Sequence, residues 1–200
     1  MDDIVKAALA AADEDDDVTG TEFTGGEFGG VEAVSLAFVR CTFKNVAFLE
    51  NHIKHLSFAD CTFRSCDLSG LRISDGAIHR SRFIECRGTG ANLDESALMN
   101  AAFENCMLNY LTISGCRLKN VRFKGCELSR MMLHTCRATG LKMENCALRG
   151  AEFVGTPLAG MDLSTDDISG IRVPPEALRG AKISALQAVQ VCALLGVEIV

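Results

Sequence analysis

The sequence predicts a repeat architecture built from short extended sides and tight corners, and two observations carry that prediction. Every fifth residue from Phe23 to Ile183 falls in one unbroken register. Of its 33 positions, 30 are Phe, Leu, Ile, Val or Met, the exceptions being Ala33, Gly88 and Ala138, and all eleven phenylalanines of the chain lie in it. A period of five is neither the 3.6 of an amphipathic helix nor the 2 of a half-buried strand, so it marks a repeat. The second observation is that Gly or Asn stands two positions after the register residue in 17 units, from Gly25 and Asn45 to Gly170 and Gly180. Both tolerate positive φ, as a tight corner requires. Each pentapeptide therefore reads as one side and one turn.

In chain order, residues 1–20 read as an acidic helix and tail. Residues 2–12 favour a short helix with Asp2 and Asp3 at its positive end, and the run Asp13-Glu14-Asp15-Asp16-Asp17 reads as solvated. No basic segment leading into an apolar one opens the chain, and no apolar run approaches the roughly 18–20 residues of a membrane span. The expectation is a soluble, cytoplasmic protein with reduced thiols.

Residues 21–183 carry the repeat. The position two before each register residue is again small or apolar, and residues two apart on an extended stretch point the same way, so both face inward. Nine cysteines occupy that position: Cys41, Cys61, Cys66, Cys86, Cys106, Cys116, Cys126, Cys136 and Cys146. They read as small apolar fillers, not as a disulfide or metal framework.

Units such as Cys61-Thr62-Phe63-Arg64-Ser65, Cys66-Asp67-Leu68-Ser69-Gly70 and Ala91-Asn92-Leu93-Asp94-Glu95 resemble the A-(D/N)-(L/F)-x-x unit of the pentapeptide-repeat family, most closely its loop-free bacterial Qnr-like and mycobacterial fluoroquinolone-resistance members. The resemblance implies an all-β, right-handed quadrilateral β-helix of four pentapeptides per coil. Residues 20 apart then stack about 4.8 Å from one another. The sequence tests this independently: Phe23, Phe43, Phe63, Phe83, Phe103 and Phe123 form one column, and Cys66, Cys86, Cys106, Cys126 and Cys146 another. About eight coils are expected. No insertion interrupts the register, so functions of loops found in some Qnr proteins do not transfer. Gly88 and Ala138 predict local dents or cavities.

Residues 184–200 read as a C-terminal module. Pro174-Pro175 distorts the last coil, and Asp166 and Glu176 stand at inward positions. Ser184 can cap a helix over about 185–195 that Gly196 ends. That helix is apolar around most of its circumference, more than one capping face needs, and Val197-Glu198-Ile199-Val200 reads as a short strand. Helix plus strand resembles the dimerisation module of bacterial pentapeptide proteins that act on DNA gyrase. The expected interface is Leu186, Val189, Ala193, Leu194, Val197 and Ile199.

Chemistry searches return little. His52, His55, His79 and His134 read as surface residues, and no phosphate-binding loop, dinucleotide fingerprint, nucleophile elbow or carboxylate pair occurs. The expectation is a non-enzyme without metal or cofactor. Charge says more. The net −6 hides −9 over residues 1–39, +6 over 40–149 and −3 over 150–200. By side, Arg40, Arg80, Arg117, Lys119, Arg137 and Arg179 against Asp60 give +5, and the Phe-column side gives +2. The other two sides give −2 each, through Glu27, Glu50, Asp67, Glu127 and Asp167 on one and Glu32, Asp75, Asp94, Glu95 and Glu152 on the other. The resemblance implies a homodimeric rod that binds DNA gyrase or topoisomerase IV as duplex DNA does and protects it from quinolones or natural poisons. Glu50, Asp67, Asp75, Asp94 and Glu95 are the candidate contacts. The alternative is an interaction module that docks an acidic protein or nucleic acid on the basic side, through Arg80, Arg117, Lys119 and Arg137.

Overall fold

The computed structural model describes residues 2–29, 35–48, 52–194 and 196. Within them the chain winds as an all-β parallel solenoid with four sides per turn. The basic side is a seven-stranded sheet running from Val18–Thr19 to Arg137–Thr139, and the Phe side another from Glu22–Thr24 to Lys142–Glu144. The side bearing Asp94 is six-stranded, from His52–Lys54 to Glu152–Val154. The remaining, bridged side begins with Glu27–Phe28 and Ala47–Phe48 and continues as single bridges from Ala47↔Asp67 to Ala147↔Asp167.

Pairings such as Phe63↔Phe83, Phe83↔Phe103, Leu93↔Ile113 and Leu98↔Leu118 carry the 20-residue register. Seven strands span six steps, so the regular ladder makes about six turns where eight coils were expected. Beyond Val154 the coil continues only through turns and isolated bridges, Glu152↔Arg172 and Asp162↔Lys182 among them.

Both inward columns of each side fill the core. Successive rings from Phe43 to Phe123 stack with centroids 4.6, 4.4, 4.6 and 4.8 Å apart and interplanar angles of 15° or less. The nine register cysteines are buried and unbridged. Their thiols reach carbonyls of the coil below, as in Cys106 Sγ to Phe83 O and Cys126 Sγ to Phe103 O, both 3.4 Å. Hydrogen bonding to a neighbouring cysteine of the same column and burial push the Cys61, Cys66, Cys106, Cys116 and Cys146 thiols above the ordinary range. Gly88 borders an apolar cavity of about 40 Å³ lined also by Leu68, Phe103 and Leu108.

Corners are left-handed whatever the residue. Arg40, His55, Asp60, Asp75, Arg80, Glu85, Glu95, Tyr110, Arg130 and Thr135 take φ between 47° and 61°. That conformation costs a side-chain-bearing residue about 1–2 kcal/mol. It is offset because the corner amide donates to the next coil, as Arg80 N–H does to Met99 O and Glu95 N–H to Ser114 O, both 2.9 Å. At Gly125 and Gly140 the reason for glycine is space: a Cβ would sit 2.6 Å from Asn105 Oδ1 and 2.7 Å from Asn120 Oδ1.

Each end is closed by a helix. Helix α1, Asp3–Glu14, buries Ile4, Ala8 and Ala11, one stripe at helical spacing, and ends at Asp15 with φ 54°. Helix α2, Ala185–Leu194, opens with a reciprocal cap: Gln187 N–H donates to Ser184 Oγ at 3.3 Å, and Ser184 N–H to Gln187 Oε1 at 2.7 Å. Gln187 is buried and its Nε2 donates to Leu163 O and Asp166 O at 2.8 and 2.7 Å, satisfying carbonyls at the open end of the coil. Asp166 does point inward, with Oδ1 accepting from Cys146 N–H at 2.7 Å. Glu176 does not: a 3-10 turn over Pro175–Leu178 carries it to the surface. No described helix is long and apolar enough to cross a membrane.

Candidate interaction surfaces

The solenoid presents its function-bearing side chains as columns, because outward positions repeat at the coil rise. Ion pairs run up these columns and decide which charges remain available. Arg80 is clamped bidentately on Asp60 one coil below, with contacts of 2.5 and 2.6 Å. This guanidinium holds the Asp60 carboxyl below the usual carboxylate range. On the Phe side, Lys44–Glu22 (2.7 Å), Arg82–Glu104 (3.0 Å) and Arg122–Glu144 (2.5 Å) pair diagonally. Asp67 lies 3.7 Å from Arg87, Asp75 3.6 Å from Lys54, and Asp167 2.6 Å from Arg149.

Of the acidic candidates, Asp94 and Glu95 are exposed and, among the described residues, have no ion-pair partner. They form a ridge at one corner. Asp94 is held between Ser74 and Ser114 in strand register, and the Glu95 side chain lies over Gly115, where a Cβ would be 3.4 Å from its Cγ. Asp67 and Asp75 reach the surface but are neutralised by their partners. Glu50 lies outside the described residues.

Of the basic candidates, Arg80 is neutralised by Asp60. Arg117 and Arg137 are exposed and stand opposite each other on adjacent strands, with Lys119 on the same side, and no acid pairs with them among the described residues. Of the candidate residues, those left without an ion-pair partner among the described residues fall into these two clusters. On α2, Leu186, Val189 and Ala193 face solvent, with Leu186 87% and Val189 56% exposed. Leu194 instead packs against the core with Val191, on the capping face. Val197 and Ile199 lie outside the described residues. No group of three or more His, Cys, Asp or Glu able to hold a metal occurs among the described residues.

Two features escaped the sequence reading. Met107 and Tyr110 expose half their surface, and Arg130 lies over the Tyr110 ring at 5.7 Å. Pro157 interrupts the ladder on two sides at once; its signal was simply a proline at a strand position.

Residues 56–133 match the family profile described as a pentapeptide repeat region. That stretch of the chain is a pentapeptide repeat region. A solved structure of trypsin-treated QnrB1, a plasmid-mediated fluoroquinolone resistance protein, superposes on this chain with a TM-score of 0.51 at 16% identity, over 92% of each chain. That likeness establishes a shared fold. HetL, a pentapeptide-repeat protein involved in heterocyst differentiation regulation from the cyanobacterium Nostoc sp. strain PCC 7120, is 15% identical over 84% of each chain with a TM-score of 0.27. No curated protein matches the sequence.

Proposed function

We propose that this protein is a non-catalytic rod that binds a type II topoisomerase, DNA gyrase or topoisomerase IV, in the cytoplasm and shields it from quinolones or natural poisons. The reading is supported by the family resemblance and by the fold shared with a fluoroquinolone resistance protein. The observation that carries it is a solenoid whose five-residue register has no insertion and which bears an acidic ridge, Asp94–Glu95, that no described cation neutralises. Such a ridge presents fixed negative charge to a basic DNA-binding surface, where steering and complementarity act together. Asp67 and Asp75 contribute less, because Arg87 and Lys54 offset them. A second copy of the chain packs on the exposed Leu186–Val189 face of α2, which gives the rod a two-fold.

The test is gyrase supercoiling with purified protein, with and without ciprofloxacin. Protection is expected from the natural chain and its loss from the double variant Asp94→Lys, Glu95→Lys, whose circular dichroism is unchanged because both side chains point outward. Supercoiling and poisoning that are indifferent to the protein at every concentration would end this reading. A second reading is favoured by Arg117, Lys119 and Arg137, whose charges are also uncompensated: the basic side docks a polyanion. Charge reversal at those three positions then abolishes binding, and affinity falls steeply with salt.

A further inference from the structure

One coil of the core is short of side-chain volume at two neighbouring places. The inward column of the bridged side carries Leu68, Leu108, Leu128 and Leu148, with Gly88 standing between the first two. Across the next corner, the column of Leu71, Leu111 and Met131 carries Ala91 at the same level. A Cβ built on Gly88 lies 3.9 Å from the Ala91 methyl, so the two deficits adjoin. The coils below and above fill the same two places with Leu68 and Leu71, and with Leu108 and Leu111. The backbone does not ask for glycine here. Gly88 does not take the positive φ of the corner glycines, and its N–H donates to Met107 O at 2.8 Å in the ordinary ladder. A glycine at such a place forfeits side-chain burial and adds freedom to the unfolded chain.

The result is the cavity of about 40 Å³ beside Gly88. Leu108 Cδ2 leans to 2.8 Å from where a Gly88 Cβ would stand, yet the space does not close. The bordering rings show it: Phe83 and Phe103 keep 3% and 6% of their surface accessible, while Phe63 and Phe123, the next rings of the same column, keep none. The wall is built from Leu, Ile, Phe, Ala and Gly alone. Its nearest backbone groups are engaged, Ala91 N–H with Gly88 O at 3.2 Å and Leu68 N–H with Arg87 O at 2.6 Å. A water there needs about two to four polar partners, which this wall does not offer. The volume equals about three water-sized spheres. Entry is shortest at the corner, where a Cβ on Gly90 would meet nothing within 4 Å and Ala91 is a methyl between Leu71 and Leu111.

We propose that this cavity is a binding site for a small, uncharged, apolar molecule of the size of dioxygen, held at the level of Gly88 and Ala91 between the leucine pairs of the two adjacent coils. Dispersion carries the binding, because wall atoms without neighbours on the cavity side gain them from a close-fitting apolar guest. Charged and polar molecules are excluded, since nothing in the wall replaces their hydration. Size sets the upper limit. The ladder bonds of Leu68 and Gly88 to the coils above them hold the two leucine pairs at coil spacing. A benzene-sized guest takes a site of about 150 Å³, well beyond this one.

Methyl NMR of the full chain tests this, with xenon and dioxygen as probes, both apolar and without hydrogen-bonding capacity. Under xenon pressure the methyl resonances of Leu68, Leu108 and Leu111 shift and saturate, while those of Leu36 and Leu148 stay in place. Dissolved dioxygen, which is paramagnetic, broadens the same lining methyls and spares the distant ones. Two substitutions fill the site from opposite sides, Gly88→Leu and Ala91→Leu, and each abolishes the saturable shifts. Ala91→Leu places at this level the residue that both adjacent coils carry and leaves Gly88 untouched, so it decides the matter if Gly88→Leu does not fold. Xenon raises the melting temperature of the natural chain and leaves that of Ala91→Leu unchanged. Shifts that grow linearly with pressure and spread over all core methyls overturn the proposal, as does saturable binding that persists in Ala91→Leu. Benzene binding as tightly as xenon overturns the size limit and with it the site as described.

Discussion

Truncating Phe103 to alanine removes one rung from the ring column, and its cost follows from three features of the structure. The Phe103 ring is buried and stacks on Phe83 at 4.6 Å and on Phe123 at 4.8 Å, tilted by 9° and 12°. Two such aromatic pairs contribute roughly 0.5–1.5 kcal/mol each beyond area burial. The remainder is transfer and cavity free energy, which brings a buried Phe→Ala change to about 3–5 kcal/mol. The upper end is expected here because Phe103 already borders the cavity beside Gly88. The new void joins an existing one, and rigid coils on both sides resist collapse into it. At about 2–4 °C per kcal/mol for a chain of this size, the melting temperature falls by roughly 8–20 °C. Thermal denaturation followed by circular dichroism measures this, with urea unfolding as a check on the free energy. A fall of less than about 3 °C, below the range that any buried rung should produce, would refute the stacked-core argument.

Gly88→Ala should stabilise by about 0.5–1 kcal/mol, because the added methyl meets only the movable Leu108 Cδ2, at 2.8 Å, and the cavity beside it can receive that shift; a lower melting temperature would show the cavity to be closed. Asp166 is pushed up to about 6 by burial, reinforced by the Asp162 and Glu144 carboxylates and opposed by the Cys146 N–H. Its folded value exceeds the unfolded value of about 3.9, so the folded state binds more protons between the two and stability falls as pH rises through that window. Asp166→Asn keeps an acceptor for the Cys146 amide and should therefore add about 1–2 kcal/mol at pH 7 and nothing near pH 3.5; an equal effect at both pH values would refute the assignment. Replacing Leu186 and Val189 by Asp should convert a dimer to a monomer by light scattering, since each places an unpaired charge in the contact, and a dimer that persists puts the interface elsewhere.

The five-residue period marked a repeat with its inward register and buried cysteines, and the family resemblance, tested by the 20-residue columns, supplied the four-sided solenoid, because a quasi-one-dimensional fold repeats one local decision. Helix positions were legible for the same kind of local reason, Asp2 and Asp3 before an alanine-rich run and Ser184 as a cap, whereas the buried stripe Ile4, Ala8 and Ala11 and the reciprocal bond of Gln187 came from the structure. Even the corners occupied by Arg80, Glu95 and Tyr110 follow from the repeat, since their neighbours in the ladder impose a conformation these residues do not prefer alone. What tertiary structure decided is which charges remain. Asp60 and Arg80 are 20 residues apart in sequence and in direct contact in space, so composition by side counted both while the fold cancels them. Tertiary structure likewise turned Leu194 inward and left Leu186 outside, a choice set by how α2 docks on the last coil. Pro157 marks the boundary between the two kinds of knowledge. Its missing N–H is written in the sequence, but only the carbonyl of Cys136 one coil below makes that absence an opening in the ladder.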